Sequence, residues 1–284
     1  MPGCLIVAAT PIGNLDDASP RLRSALRDAD IIAAEDTRRL LNLVRGLGVE
    51  SEARVLSYFD NNESERTPEL LRELIEGRTV LLVSDAGMPL VSDPGYRLIS
   101  AALDAKVPVT VIPGPSAVLT ALALSGLPVD RFSFEGFLPR KPGERVRRLV
   151  ELGEEQRTMV FFEAPHRLLE TLSAMAEQFG GDRPAAVCRE MTKTYEETVR
   201  GPLTDIEQHF RDNAPRGEVT IVVSGRTRAL AESLTDDEVV ALVLQEQALG
   251  AAPNAAIAAV AKRIGLNRQQ VYDLVLKAKH RSDQ

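Results

Sequence analysis

A chain of 284 residues with 44% hydrophobic and 26% charged side chains has room for about two domains, each with its own core. Its net charge of −7 argues against indiscriminate nucleic-acid binding, which needs a basic field, but leaves room for a local basic patch. Cys4 and Cys188 stand far apart, as do His166, His209 and His280, so no metal site is expected and both thiols read as inert, buried groups of a reducing compartment.

Residues 4–9 read as a strand, followed by a TPIGN turn at 10–14. Ser19 caps a helix opened by Pro20, with Leu22, Ala25, Leu26 and Ala29 on one face. Residues 31–34 form a second strand ending in Glu35, Asp36, Thr37 and Arg38, and Leu40, Leu41, Val44 and Leu47 carry a helix that Gly48 terminates. A third strand at 54–59, a helix through Leu70, Leu71, Leu74 and Ile75, and a fourth strand at 79–83 follow. That strand ends in the SDAGMPLVSDPG loop, where Asp93 reads as the cap of a helix opened by Pro94. Another strand is expected at 107–112. Repeated βα units predict a parallel, doubly wound sheet with helices on both faces.

The segment PGPSAVLTALALSGLP bridges to a second α/β domain with a mixed sheet. Its expected strands lie at 132–138, 158–163, 185–190, 197–203 and 218–224, with helices at 167–179 and 204–213. From Thr235 onward three helices are expected, with breaks near 250–253 and 265–267. The domains are therefore drawn at 1–116, 117–228 and 229–284. The start at 4–9 lacks the basic region of a signal peptide, and no run reaches the ~18 apolar residues of a membrane span. A cytoplasmic protein with no membrane partner is expected.

Several familiar sites are missing. No G-x-G-x-x-G follows the first strand, and there is no phosphate loop, H-E-x-x-H or nucleophile elbow. Instead, TPIGN, EDTR, SDAGMP and PGPSA each follow a predicted strand, so four loops can gather at one edge of one sheet, where ligands of open α/β sheets bind. Asp85 reads either as a ligand contact there or as the acceptor of a local turn. Glu35, Asp36 and Arg38 read either as site residues or as a solvated ion pair.

The motifs TPIGNLDD, AEDTRR, SDAGMPLVSDPG, PGPSA, FEGFLPRKP, FFEAPHR and REMTKTYEE, in that order, resemble the tetrapyrrole-methylase-like (class III) S-adenosylmethionine methyltransferases. Within them they are most similar to the ribosomal RNA small-subunit methyltransferase I branch. The resemblance covers residues 4–225. It implies a two-domain tetrapyrrole-methylase-like α/β fold, usually a homodimer, with S-adenosylmethionine in the cleft between domains. It also implies methyl transfer to the ribose 2′-hydroxyl of a cytidine in the decoding region of 16S ribosomal RNA, on the small ribosomal subunit. The family's cofactor positions fall on Ile12 in the first loop, on Val83, Ser84, Asp85, Ala86, Gly87 and Met88, on Ser116 and Ala117, and on Glu163 and Met191 of the second domain. Thr-Pro replaces glycines of the tetrapyrrole enzymes' first loop, and Ser-Asp-Ala replaces their Gly-Asp-Pro. These departures weigh against a tetrapyrrole substrate.

Methyl transfer from a sulfonium is an in-line displacement, so alignment and exclusion of water are the main tasks. A neutral ribose hydroxyl is a poor nucleophile, and a carboxylate in reach would take its proton. Asp36 is the favoured base, with Glu35 beside it and Arg38 holding a phosphate. In LPRKPGERVRRL, Arg140, Lys141, Arg145, Arg147 and Arg148 stand against Glu144 alone, and next to the expected cleft the segment reads as a phosphate clamp. The tail NAAIAAVAKRIGLNRQQVYDLVLKAKHR has the helix-turn-helix pattern, serving either RNA contact or packing and dimerisation. Two other classes stay open: a tetrapyrrole (uroporphyrinogen or precorrin) methyltransferase, and a non-catalytic RNA-binding regulator.

Overall fold

The computed structural model describes residues 3–226, 234–264 and 266–282, which fall into two compact units, Met1–Gly153 with Thr158–Val223 and Glu154–Arg157 with Ser224–Gln284. The first unit contains two five-stranded sheets. One is built from β1 (Cys4–Ala8), β2 (Ile31–Ala34), β3 (Arg54–Ser57), β4 (Thr79–Val83) and β5 (Val109–Ile112), all parallel, in the order β3-β2-β4-β1-β5. The helices α1 (Pro20–Asp28), α2 (Thr37–Gly46), α3 (Glu63–Ile75) and α4 (Tyr96–Asp104) alternate with these strands.

Both faces of the sheet are covered, so neighbouring residues of one strand feed opposite cores. Ile32 and Leu81 pack with Leu22, Leu26 and Leu40, while Ile31 and Val80 pack with Leu70, Leu74 and Leu98. This is why the inner strands read as continuous apolar runs. Helix α1 starts as expected, with Leu22 N–H donating to Ser19 Oγ at 3.0 Å and Pro20 in the first turn. Strand β5 begins two residues later than the sequence pattern suggests. Pro108 accepts a hydrogen bond from Leu5 N–H but has none of its own to donate.

Helix α5 (Ala117–Ser125) follows β5 and leads to the second sheet: β6 (Phe132–Phe137), β7 (Thr158–Glu163), β8 (Pro184–Arg189), β9 (Glu197–Pro202) and β10 (Val219–Val223). Its order is β6-β7-β10-β8-β9. β6 runs parallel to β7 and every other pairing is antiparallel, giving the expected mixed sheet. One face is covered by α6 (Pro142–Leu152), α7 (Leu168–Phe179) and α8 (Leu203–Asp212), which enclose Phe161, Ile221, Leu172, Ile206 and Phe210. The other face packs Val160, Ala186, Cys188 and Val222 against Val118, Ala121 and Leu122 of α5, together with Ile12. The boundary drawn at 116/117 thus falls between β5 and α5, and the one at 228/229 lies outside the described residues.

The second unit has the three expected helices, α9 (Asp236–Ala248), α10 (Pro253–Ile264) and α11 (Arg268–Ser282). Thr235 and Glu238 form a reciprocal capping box at the start of α9. Val239, Val243, Ile257, Val260, Ile264 and Val271 form its core. The side chains of Lys262, Arg263, Lys279 and Arg281 in α10 and α11 lie outside the described residues.

Candidate functional site

Three strand-end loops of the parallel sheet interlock. Thr10 N–H donates to the Gly87 carbonyl at 2.8 Å and Gly87 N–H donates back to Thr10 at 3.1 Å, tying the loop after β1 to the loop after β4. Gly87 sits at φ +83°, and a Cβ there would stand 3.3 Å from Ile12 Cγ2 and 3.5 Å from the Pro115 carbonyl. In the loop after β5, a Cβ on Gly114 would meet Ala9 Cβ at 3.0 Å. These glycines let three backbones converge where side chains would hold them apart.

Against this edge lies a cavity of about 350 Å³, within the usual range for small-molecule sites of roughly 300–1,000 Å³. Ile12, Ala86, Gly87, Met88, Ser116 and Ala117 line it from the parallel sheet's loops. Phe137, Phe162, Glu163, Gly217, Glu218 and Thr220 line it from the mixed sheet. The last three lie at the amino end of a strand, which an argument from the carboxyl ends of strands does not reach. β10 runs antiparallel to β7 with Val219 opposite Glu163 and Thr220 opposite Phe162, so the beginning of β10 comes to the same edge as the end of β7. Phe137 and Phe162 meet edge to face at 5.7 Å and wall this side.

Of the positions carried over from the family, Val83, Ser84 and Asp85 lie off this cavity, on a smaller one shared with Thr10, Asp36 and Arg39. Met191 is buried in the cluster that holds Ile12, not exposed to the cavity. The Glu163 carboxylate is buried and fully engaged, accepting from Thr171 Oγ1 at 2.7 Å and Ala164 N–H at 2.8 Å, with Arg167 Nε at 3.4 Å.

The two acidic loops depart from the sequence reading. Asp36 lines no part of the larger cavity; it caps α2, its Oδ1 accepting from Arg38 N–H at 2.8 Å and Arg39 N–H at 3.4 Å. The Arg38 guanidinium pairs with it at 2.9 Å, and these hydrogen bonds hold its carboxyl at about 2. A carboxylate so stabilised is a weak proton acceptor, which weighs against its reading as the base. Arg38 itself is 87% exposed. Glu35 and Asp85 bracket each other: Asp85 N–H donates to Glu35 Oε2 at 3.2 Å and Asp36 N–H donates to Asp85 Oδ1 at 3.0 Å. Burial is the main cause that raises both carboxyls, offset at Asp85 by Arg39 at 3.4 Å.

Asp93 is not the cap of α4. That helix starts at Tyr96 with Gly95 in the cap position, and Gly95 N–H is taken by Glu63 Oε1 at 2.6 Å. Leu90 and Ser92 adopt left-handed φ of 80° and 66°, and the bend they make turns Asp93 to the cavity. Burial, reinforced by Glu35 and Asp85, pushes its carboxyl up to about 7, against a hydrogen bond from Ser84.

The basic segment is not a uniform clamp. Arg145 has a side chain only 7% exposed and pairs with Glu170 at 3.3 Å, so it faces the interior rather than a phosphate. Arg148 joins Glu135 and Glu151, and Lys141 pairs with Glu144. The helical period that makes α6 amphipathic turns Arg145 and Leu149 inward on one face. Arg140 is exposed and makes no ion pair among the described residues. Both cysteines are free, burial raises both thiols, and among the described residues no group of side chains is arranged to hold a metal ion. No helix among them is long and apolar enough to cross a membrane.

The sequence model of the Tetrapyrrole (Corrin/Porphyrin) Methylases matches residues 4–207. A protein of Mycobacterium tuberculosis named ribosomal RNA small subunit methyltransferase I is 47% identical over 281 residues, 98% of this chain and 96% of that one. A Thermotoga maritima protein of the same name is 45% identical over 225 residues, 79% of this chain and 99% of that one. Among solved structures, the methyltransferase CobJ aligns with a TM-score of 0.60 at 22% identity, over 79% of this chain and 95% of that one. Uroporphyrin-III C-methyltransferase from Thermus thermophilus, in complex with S-adenyl homocysteine, aligns at 0.55 and 18% identity, over 78% and 97%. At such identities these two likenesses bear on the fold.

Proposed function

The chain belongs to the tetrapyrrole methylase family, within it to the ribosomal RNA small subunit methyltransferase I proteins, and from that premise we propose that it methylates the ribose 2′-hydroxyl of a cytidine in the decoding region of 16S ribosomal RNA, with S-adenosylmethionine as methyl donor. The observation that carries the reading is the cavity itself. It is walled by apolar side chains, approached closely by backbone at Gly87, and among the described residues its ionisable lining groups are the carboxyls Asp93, Glu163 and Glu218. A lining that carries carboxyls and, among the described residues, no cation of its own suits a ligand bearing positive charge. Ile12, Met88, Ser116, Ala117 and Phe162 are the residues that would hold the donor.

The donor supplies an electrophilic methyl group on a cationic sulfur. The protein's share is to fix direction and exclude water, for which Phe137 and Phe162 on one side and the interlocked loops on the other are suited. Arg140, exposed and without an ion pair among the described residues, is the candidate contact for backbone phosphate, and the α9–α11 unit is a second candidate RNA contact. We place the enzyme in the cytoplasm as a homodimer acting on the small ribosomal subunit. Relatives at 40–47% identity named for ribosomal RNA favour this reading over a tetrapyrrole substrate, for which the likenesses are at 22% or below. The test is incubation with labelled S-adenosylmethionine and small subunits lacking the modification, followed by mapping of the label. A 2′-O-methylcytidine in the decoding region is the expected product. Label on a base, on another nucleotide, or only on an added tetrapyrrole overturns the assignment.

A further inference from the structure

We propose that Arg167 is a positioning residue for the RNA: it ties the loop after β6 to the cavity wall and so presents Arg140, on that loop, to a backbone phosphate of the strand. The role rests on the RNA-methylating reading above. Arg167 ends a 3-10 turn, Pro165–Arg167, that leads into α7, and its side chain is 14% exposed. Its Nη2 donates to the Leu138 carbonyl at 2.9 Å and to the Pro139 carbonyl at 3.2 Å, and its Nε stands 3.4 Å from Glu163 Oε1. Glu163 is the fixed end of this tether. It closes β7, lines the cavity, and is held in turn by the Thr171 hydroxyl and the Ala164 N–H.

The other end is a stretch of chain with little to hold it from within. β6 is an edge strand of the mixed sheet, and its pairing with β7 shifts register between Phe134 and Gly136, where Gly136 has φ +66°. Such a bulge re-aims the end of a strand, and here that end carries Phe137, which lines the cavity. Leu138 is buried in the mixed sheet's core, and the chain then runs Pro139, Arg140, Lys141, Pro142. Neither proline has an N–H with which to fix the turn. Arg167 fixes it from outside, with the planar fork of donors that a guanidinium presents and a lysine does not. Lys141 pairs with Glu144 at 3.2 Å, whereas Arg140 is exposed and has no ion pair among the described residues. Arg140 is therefore the cation of this loop left for an anion, and a phosphodiester is the anion that an RNA strand offers.

The test uses full-length protein and small subunits lacking the modification, with affinity measured by filter binding at several salt concentrations. Arg167→Lys keeps the charge and loses the fork. It and Arg140→Ala should each weaken subunit binding by about 10-fold, the scale of one charge-assisted hydrogen bond. Each should also reduce the salt slope of binding by about one, the signature of one lost phosphate contact. The double variant should bind no more weakly than the weaker single, because Arg167 acts through Arg140. KM for subunits should rise in Arg167→Lys, while kcat and S-adenosylmethionine affinity stay within about threefold of wild type. If Arg167→Lys fails to fold, Arg167→Gln, which keeps a donor for one carbonyl, takes its place in the same cycle. Losses that add in the double variant overturn the positioning role and make Arg167 a contact of its own. Wild-type subunit affinity in either single variant overturns it as well. So does a loss of S-adenosylmethionine affinity equal to the loss of subunit affinity, which would make Arg167 part of the cavity frame alone. A wild type that neither binds nor methylates small subunits overturns the functional reading instead.

Discussion

The loop after β2 and the loop after β4 both end a buried parallel strand in carboxylates, and the fold gives those carboxylates opposite fates. Asp36 stands at the start of a helix beside an arginine, open to water, and is held ionised at about 2. Asp93 stands in a bent, strained segment against a cavity, among other acids, and is pushed up to about 7. The sequence pattern reads Asp93 as a helix cap, and the structure gives a cap's role to Asp36 instead. What separates them is the partner supplied by the local chain. Thr37 and Arg38 continue straight into a helix whose free N–H groups need an acceptor, whereas Leu90 and Ser92 turn the chain and delay α4 to Tyr96.

Changes in the β4 loop are expected to strike ligand and rate, and changes in the β2 loop stability. The largest effect is expected at Gly87. Valine there needs a φ of +83° and puts its Cβ 3.3 Å from Ile12, so we expect S-adenosylmethionine affinity to fall by about 10- to 100-fold in calorimetry, the equivalent of the roughly 1–3 kcal/mol such strain costs. Wild-type affinity in Gly87→Val would detach this loop from the cofactor site.

Asp36→Ala removes a cap, and denaturant unfolding should show a loss of about 1 kcal/mol. Asp36→Asn keeps an acceptor and should recover most of it. Turnover of the folded fraction should stay within about threefold in both, and a 100-fold loss in either would restore Asp36 as the base.

The smallest effect is on stability against pH. Burial raises the Asp93 carboxyl to about 7 in the folded chain, against roughly 4 when unfolded. The folded state therefore holds the extra proton between those values, and this group's contribution, complete below about pH 4, is lost as pH rises through 7. Asparagine has no such proton to lose. Asp93→Asn should melt above the wild type at pH 8 and match it near pH 4. A lower melting temperature at pH 8 would contradict the buried, unpaired carboxyl.

Much of the fold was legible because its signals are local. Apolar runs such as Thr79–Val83, the Ser19–Pro20 cap and the TPIGN, SDAGMP and PGPSA turns gave the parallel sheet and the edge where its loops meet. The mixed sheet's share of the cavity was hidden, since placing Gly217 to Thr220 there requires knowing that β10 runs antiparallel to β7. The basic segment misled for a similar reason. Counting charges does not say which face of α6 is buried, and Arg145 is on that face, paired with Glu170. Neither the strain at Leu90 and Ser92 nor the isolation of Asp93 from cations follows from residue order, because both arise from how distant loops interlock.

The most direct measurement is S-adenosylmethionine affinity by calorimetry of Gly87→Val and Asp36→Asn, side by side with the wild type. The account predicts a loss of about 10- to 100-fold in Gly87→Val and at most about threefold in Asp36→Asn. Wild-type affinity in Gly87→Val, or an equal loss in Asp36→Asn, would contradict it.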